Sequence, residues 1–141
     1  MKLSSESVHP VLVKGNTIAG GFLTTGLSAP GIDISVGFAD ATIEENSIST
    51  QNATGITINS PAEGQMPIKI LRNTFTGGST SAAFTSTGIL LGSTTSAQKV
   101  ISIEENVFVG QNRGIHIDAV PTTTKVTIHS NNFAVESAPG A

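Results

Sequence analysis

The sequence contains no cysteine and little charge. Zero Cys in 141 residues excludes a disulfide scaffold, thiolate chemistry and Cys-ligated zinc. Asp, Glu, Lys and Arg make up 12% of the chain, about half the usual fraction. Their balance is acidic, with a formal net charge of −3. That argues against a nucleic-acid partner, which would demand a basic stripe. No apolar run approaches the roughly 18 residues of a membrane span, so no membrane insertion is expected. Met1 to Pro10 lack the apolar stretch of a signal peptide. Helical periodicity is missing too, because Gly, Pro and β-branched residues interrupt every window. What remains is one domain's length with 38% hydrophobic residues, 15 Gly, 16 Ser, 18 Thr and 9 Asn. Hydrophobicity is too high and net charge too low for disorder.

One short pattern recurs: apolar, any, apolar, two of any kind, Asn, any, apolar. It runs over Val11–Ile18, Ala41–Ile48, Ile68–Phe75, Ile101–Phe108 and Val126–Phe133, with Asn spacings of 30, 27, 33 and 25 residues. Between the copies stands a second pattern, Gly31-Ile32-Asp33-Ile34, Gly55-Ile56-Thr57-Ile58, Gly88-Ile89-Leu90-Leu91 and Gly114-Ile115-His116-Ile117. Both alternate with period two, which is strand periodicity. Two such short strands per repeat cannot bury their apolar faces alone, whereas stacked repeats form one continuous core. The expected fold is therefore all-β, a right-handed single-stranded parallel β-helix (β-solenoid) of about five short coils.

Inward columns follow: Val11, Ala41, Ile68, Ile101 and Val126; Val13, Ile43, Ile70, Ile103 and Ile128; Ile18, Ile48, Phe75, Phe108 and Phe133. Asn16, Asn46, Asn73, Asn106 and Asn131 read as a structural ladder. An Asn carries both donor and acceptor groups and tolerates left-handed backbone at a bend. Just before it, Lys14, Glu44-Glu45, Arg72, Glu104-Glu105 and His129 alternate in sign down the stack, as a surface charge ladder would.

The I-x-I-x-x-N-x-[IF] pattern followed by G-I-x-I resembles the right-handed parallel β-helix repeats of the pectate-lyase-like superfamily, over residues 11 to 135. The resemblance implies an elongated polysaccharide lying along stacked strands. It implies an extracellular, cell-surface or virion setting, and Ca2+ in lyase members. Known members include polysaccharide lyases, glycoside hydrolases, epimerases, phage tailspikes and surface adhesins.

The outward residues do not assemble an obvious catalytic set. The chain has three Asp, at positions 33, 40 and 118, and Asp33 and Asp118 fall roughly 14 Å apart at a rung spacing of about 4.8 Å. Paired glycosidase carboxylates need about 5–9.5 Å. The adjacent acids that would hold Ca2+ in a lyase are absent, and His9 and His129 are too scattered for a metal site, so no cofactor is expected from the residues themselves. Arg113, His116 and Asp118 form the best remaining cluster and are the weak catalytic candidates. Asp33, Thr57, His116 and Asp118 are the candidate binding residues. Two long gaps after Asn16 and Asn73 each open with Gly-Gly and carry one Phe, Phe22 and Phe84; such loops either wall a groove or anchor themselves. Neither end shows a cap, so residues 1–141 read as a single β-helix domain, a piece of a longer one or a chain that associates end to end. The expectation is a module that binds or displays on polysaccharide without a complete catalytic site. A lyase, hydrolase or epimerase, and an architectural spacer of a surface or tailspike protein, stay open as alternatives.

Overall fold

The computed structural model describes residues 1–3, 10–22, 28–34, 40–50, 53–59, 67–78, 86–92, 100–118 and 124–134. All regular elements among them are strands. Sheet I is built from the I-x-I segments: β2 (Val11–Lys14), β7 (Ala41–Glu44), β10 (Ile68–Leu71), β13 (Val100–Glu104) and β16 (Lys125–His129). Sheet II follows the Asn bend: β3 (Thr17–Ala19), β8 (Ser47–Ser49), β11 (Thr74–Thr76), β14 (Val107–Val109) and β17 (Asn132–Ala134). Sheet III starts with β1 (Lys2–Leu3) and continues through the Gly-Ile segments: β6 (Ile32–Ile34), β9 (Thr54–Ile58), β12 (Thr87–Leu91) and β15 (Arg113–Ile117). Every pairing within these sheets is parallel and joins successive repeats. Among the described residues, only β4 (Gly21–Phe22) and β5 (Ser28–Ala29) pair antiparallel.

The chain is thus an all-β parallel solenoid, with two differences from expectation. Three strands rather than two line each coil, because the three residues around the post-Asn apolar position form a strand of their own. The expected five coils become about three full turns: each sheet has five rungs, but only three have a neighbour on both sides.

The inward columns pair in the expected register, Ile43, Ile70, Ile103 and Ile128 in one and Ile48, Phe75, Phe108 and Phe133 in another. The three Phe rings stack at centroid spacings of 4.8 and 4.9 Å, with planes 7° and 6° apart. Their packing explains the Gly of the second pattern. A Cβ on Gly88 would lie 2.6 Å from two ring carbons of Phe108 on the next rung; Gly55 and Gly114 meet Phe75 and Phe133 in the same way.

At the bend between sheets I and II, the left-handed residue is the one before the Asn, not the Asn itself. Gly15, Glu45, Arg72, Glu105 and Ser130 have φ of 67°, 55°, 52°, 55° and 56°. The Asn side chain instead satisfies the polar groups that this reversal frees. The Asn46 backbone N–H and Nδ2 both donate to Asn73 Oδ1, at 3.0 and 2.9 Å, and Nδ2 also donates to the Val13 and Glu44 carbonyls. Asn16, Asn73 and Asn106 each donate to the next Asn along. Asn46, Asn73 and Asn106 are buried, so the expected ladder is structural.

A second polar corner lies between sheets II and III. The Thr50 hydroxyl donates to Gln111 Oε1 at 2.8 Å, two rungs away. Gly77 on the intervening rung leaves space, since a Cβ there would meet both side chains. Ser86 donates to Asn112 Oδ1 through N–H and hydroxyl and accepts the Asn112 N–H.

Candidate functional site

The outward positions of sheet III hold the candidate residues. Asp33, Thr57, Leu90 and His116 stand in one column, each in register with the next. The inward isoleucines on either side fix their direction, because successive strand residues face opposite ways. Beside this column run Asn59, Gly92 and Asp118, each backbone N–H donating to a carbonyl of the preceding rung. A Cβ on Gly92 would collide with the Asn59 amide oxygen, so the missing side chain lets Asn59 lie across to the next rung.

Two polar groups in the first column are sheltered from water although they face outward. Thr57 is 6% exposed. Asp33 is half-buried, and its Oδ1 is buried with no hydrogen-bond partner among the described residues. An unpaired buried carboxylate oxygen is a costly arrangement. The Asp33 backbone is held by its N–H to the Met1 carbonyl at 2.8 Å, and the Met1 ammonium donates to the Gly31 carbonyl at 2.6 Å.

The column brings Asp33 and Thr57 onto adjacent rungs and keeps both away from the second cluster. His116 lies three rungs from Asp33, roughly 14 Å at a rung spacing of about 4.8 Å. His116 is half-buried, whereas Arg113 and Asp118 are exposed. Among the described residues, no hydrogen bond between side chains or ion pair within 4 Å joins Arg113, His116 and Asp118 to one another. No described group of three or more His, Asp or Glu side chains could hold a metal. The loops carrying Phe22 and Phe84 bear on residues whose side chains lie outside the described set.

The charge ladder stands at the bend between sheets I and II. Lys14 Nζ pairs with Glu44 at 2.9 Å and Glu45 at 3.2 Å. Arg72 reaches Glu44 at 2.7 Å, Glu45 at 3.5 Å and Glu105 at 3.8 Å. His129 pairs with Glu104 at 3.1 Å. The hydrogen bond from Lys14 holds the Glu44 carboxyl below its ordinary value, with the charges of Lys14 and Arg72 adding to it and desolvation opposing. Hydrogen bonds to Glu44 and Glu45 raise Lys14 in turn. These carboxylates are occupied as ion-pair partners.

Sequence reasoning passed over the outer face of sheet II. Thr17, Ser47, Thr74, Val107 and Asn132 form one row across the rungs, and Ala19, Ser49, Thr76, Val109 and Ala134 form the other. None of these ten residues is charged, and all are exposed or half-buried. The signal was present as the two residues flanking each post-Asn apolar position, visible once that segment is recognised as a strand.

No family model matches the chain, and neither a curated protein nor a solved structure does. No helix among the described residues is long and apolar enough to cross a membrane.

Proposed function

We propose that this solenoid is a non-catalytic module that binds an extended polysaccharide along the outer face of sheet III. The observation that carries the reading is the in-register outward column of Asp33, Thr57, Leu90 and His116, three of them half-buried rather than closed off, on successive parallel strands. A sugar hydroxyl donates to the exposed part of a carboxylate such as Asp33, and a hydrogen bond to a charged acceptor contributes about 1.5–3 kcal/mol. Further along the column, Leu90 offers an apolar contact for a ring face. His116 and Asp118 supply polar contacts at the far end. A long glycan engages all of these at once, whereas a single sugar reaches one or two rungs. On this reading the chain belongs with the pectate-lyase-like parallel β-helices and works in an extracellular, cell-surface or virion setting.

The test is a glycan array followed by titration of the best ligand. Asp33→Asn should weaken binding about tenfold, the equivalent of about 1.4 kcal/mol, with the fold retained by circular dichroism and no loss of melting temperature. Lys69→Ala, on the outer face of sheet I, should leave affinity as it was. Release of unsaturated or reducing-end sugars, abolished by His116→Ala or Asp118→Ala, would replace this reading with a lyase, hydrolase or epimerase. Absence of binding to any glycan would leave an architectural spacer.

A further inference from the structure

The end faces of the stack are complementary to each other, and we propose that copies of this chain associate head to tail through them. The partner is a second copy, whose first rung, β2 and β3, continues from the last rung, β16 and β17, of its neighbour.

Three observations carry this. The first is apolar matching. Phe133 is 54% exposed and Ile128 42%, while Phe75 and Ile70, in the same columns on inner rungs, are fully buried. At the opposite end a cleft of about 370 Å³ is lined by Met1, Leu12, Val13, Asn16, Thr17 and Ile18. Continuing the columns places Phe133 on the half-buried Ile18 of the next copy, so a projecting ring meets the cleft, while Val13 beside it is already buried.

The second is the polarity of the Asn ladder. Each Asn donates through its backbone N–H and Nδ2 to the Oδ1 of the following rung. Among the described residues, Asn131 finds no such acceptor and Asn16 Oδ1 no such donor. Stacking in the same sense joins Asn131 to Asn16 of the next copy. The Nδ2 of that Asn16 then donates to the Ile128 carbonyl, as Asn46 Nδ2 does to Val13. A head-to-head contact would set acceptor against acceptor.

The third is the phase of the spiral. The path visits sheets III, I and II in turn, from β1 in sheet III to β17 in sheet II. The next position in that cycle is sheet III, which β1 of the second copy fills beside β15. All three sheets then continue in step, and unpaired strand edges, which invite such pairing, become paired. The charged side chains of the end rungs do not oppose contact unscreened, since Lys14 already pairs with Glu44 and His129 with Glu104 in each copy.

A heterologous contact of this kind does not close on itself. Light scattering over a concentration series should therefore give a mass that climbs past the dimer without a plateau. A constant monomer mass would overturn the proposal. Two variants test polarity: Phe133→Arg blocks the last rung, and Ile18→Arg blocks the cleft from the half-buried inward position that Phe133 would meet. Each alone should be monomeric, and an equimolar mixture should form dimers and nothing larger. Dimers of either variant alone, or a mixture that stays monomeric, would refute head-to-tail stacking. If circular dichroism shows that either variant unfolds, Ile128→Arg at the other exposed inward position of the last rung replaces Phe133→Arg, and Val11→Arg at the half-buried inward position of the first rung replaces Ile18→Arg.

Discussion

Asn73 shows what a single side chain does in this fold. Its Oδ1 accepts two hydrogen bonds from Asn46, and its Nδ2 donates to the Ile43 and Leu71 carbonyls and to Asn106 Oδ1. Asn73→Ala leaves the buried Asn46 N–H without a partner and should cost about 3 kcal/mol, from the desolvation of orphaned groups. Asn16→Ala, at an exposed position, should cost about 1 kcal/mol or less; urea denaturation of the two variants checks the contrast. The neighbouring ion pair has a defined pH window. Glu44 titrates below its ordinary 4.5 in the folded chain, so its contribution is present above that pH and fades as pH falls through the lowered folded value. Lys14 titrates above its ordinary 10.5, so its share is present below that pH and is lost as alkalinity rises past the raised value. The melting-temperature difference between wild type and Lys14→Met should therefore be largest near neutrality and vanish in strong acid. Exposed pairs of this kind contribute little and are screened by salt, so added salt should shrink the difference too.

At the scale of the element, each rung depends on what its neighbours lack. Gly88 has no side chain, and that absence seats the Phe108 ring of the following rung. Gly88→Ala should destabilise by about 1–3 kcal/mol through overpacking. Trimming Phe108 in the same molecule should rescue only part of this, because the added Cβ also meets the Gly114 carbonyl at 2.6 Å. Gly78→Ala is the control: its Cβ would meet only the Gly110 carbonyl, at an ordinary 3.9 Å, and thermal melts should find it close to wild type. The Gly-Ile motif was legible in the sequence, but the reason for its Gly was not. The ring that needs the space comes from a different strand on a different rung, and period-two patterning carries no information about it.

Across the whole molecule the interactions are almost all between successive coils, as in other quasi-one-dimensional repeat structures. Every pairing in the three parallel sheets joins segments a full repeat apart, and the antiparallel β4–β5 pair is local, so little structure forms before coils meet and folding should be slow. Stability should be greatest where a rung is covered on both sides. Hydrogen exchange read by mass spectrometry should show the slowest amides in β10, β11 and β12, with β16 and β17 exchanging earlier by local opening. If head-to-tail contacts form, raising protein concentration should slow exchange in β16 and β17 while leaving β11 unchanged. Uniform exchange across all rungs would contradict a nearest-neighbour stack.

Alternation and repeat spacing alone determined the strands of sheets I and III, their parallel stacking, the three inward columns, the Asn ladder and the order of charges beside it. These features recur at each repeat, and identical demands on one position in successive coils leave a mark on the sequence. The tertiary structure decided what depends on three-dimensional proximity. It set a third sheet apart at the bend, placed the left-handed residue one position before each Asn, and sheltered outward-facing Thr57. It also left Asp33 with a buried oxygen that has no partner among the described residues. None of these follows from periodicity, because each is fixed by how the backbone turns between strands and by which side chains then meet across the rungs.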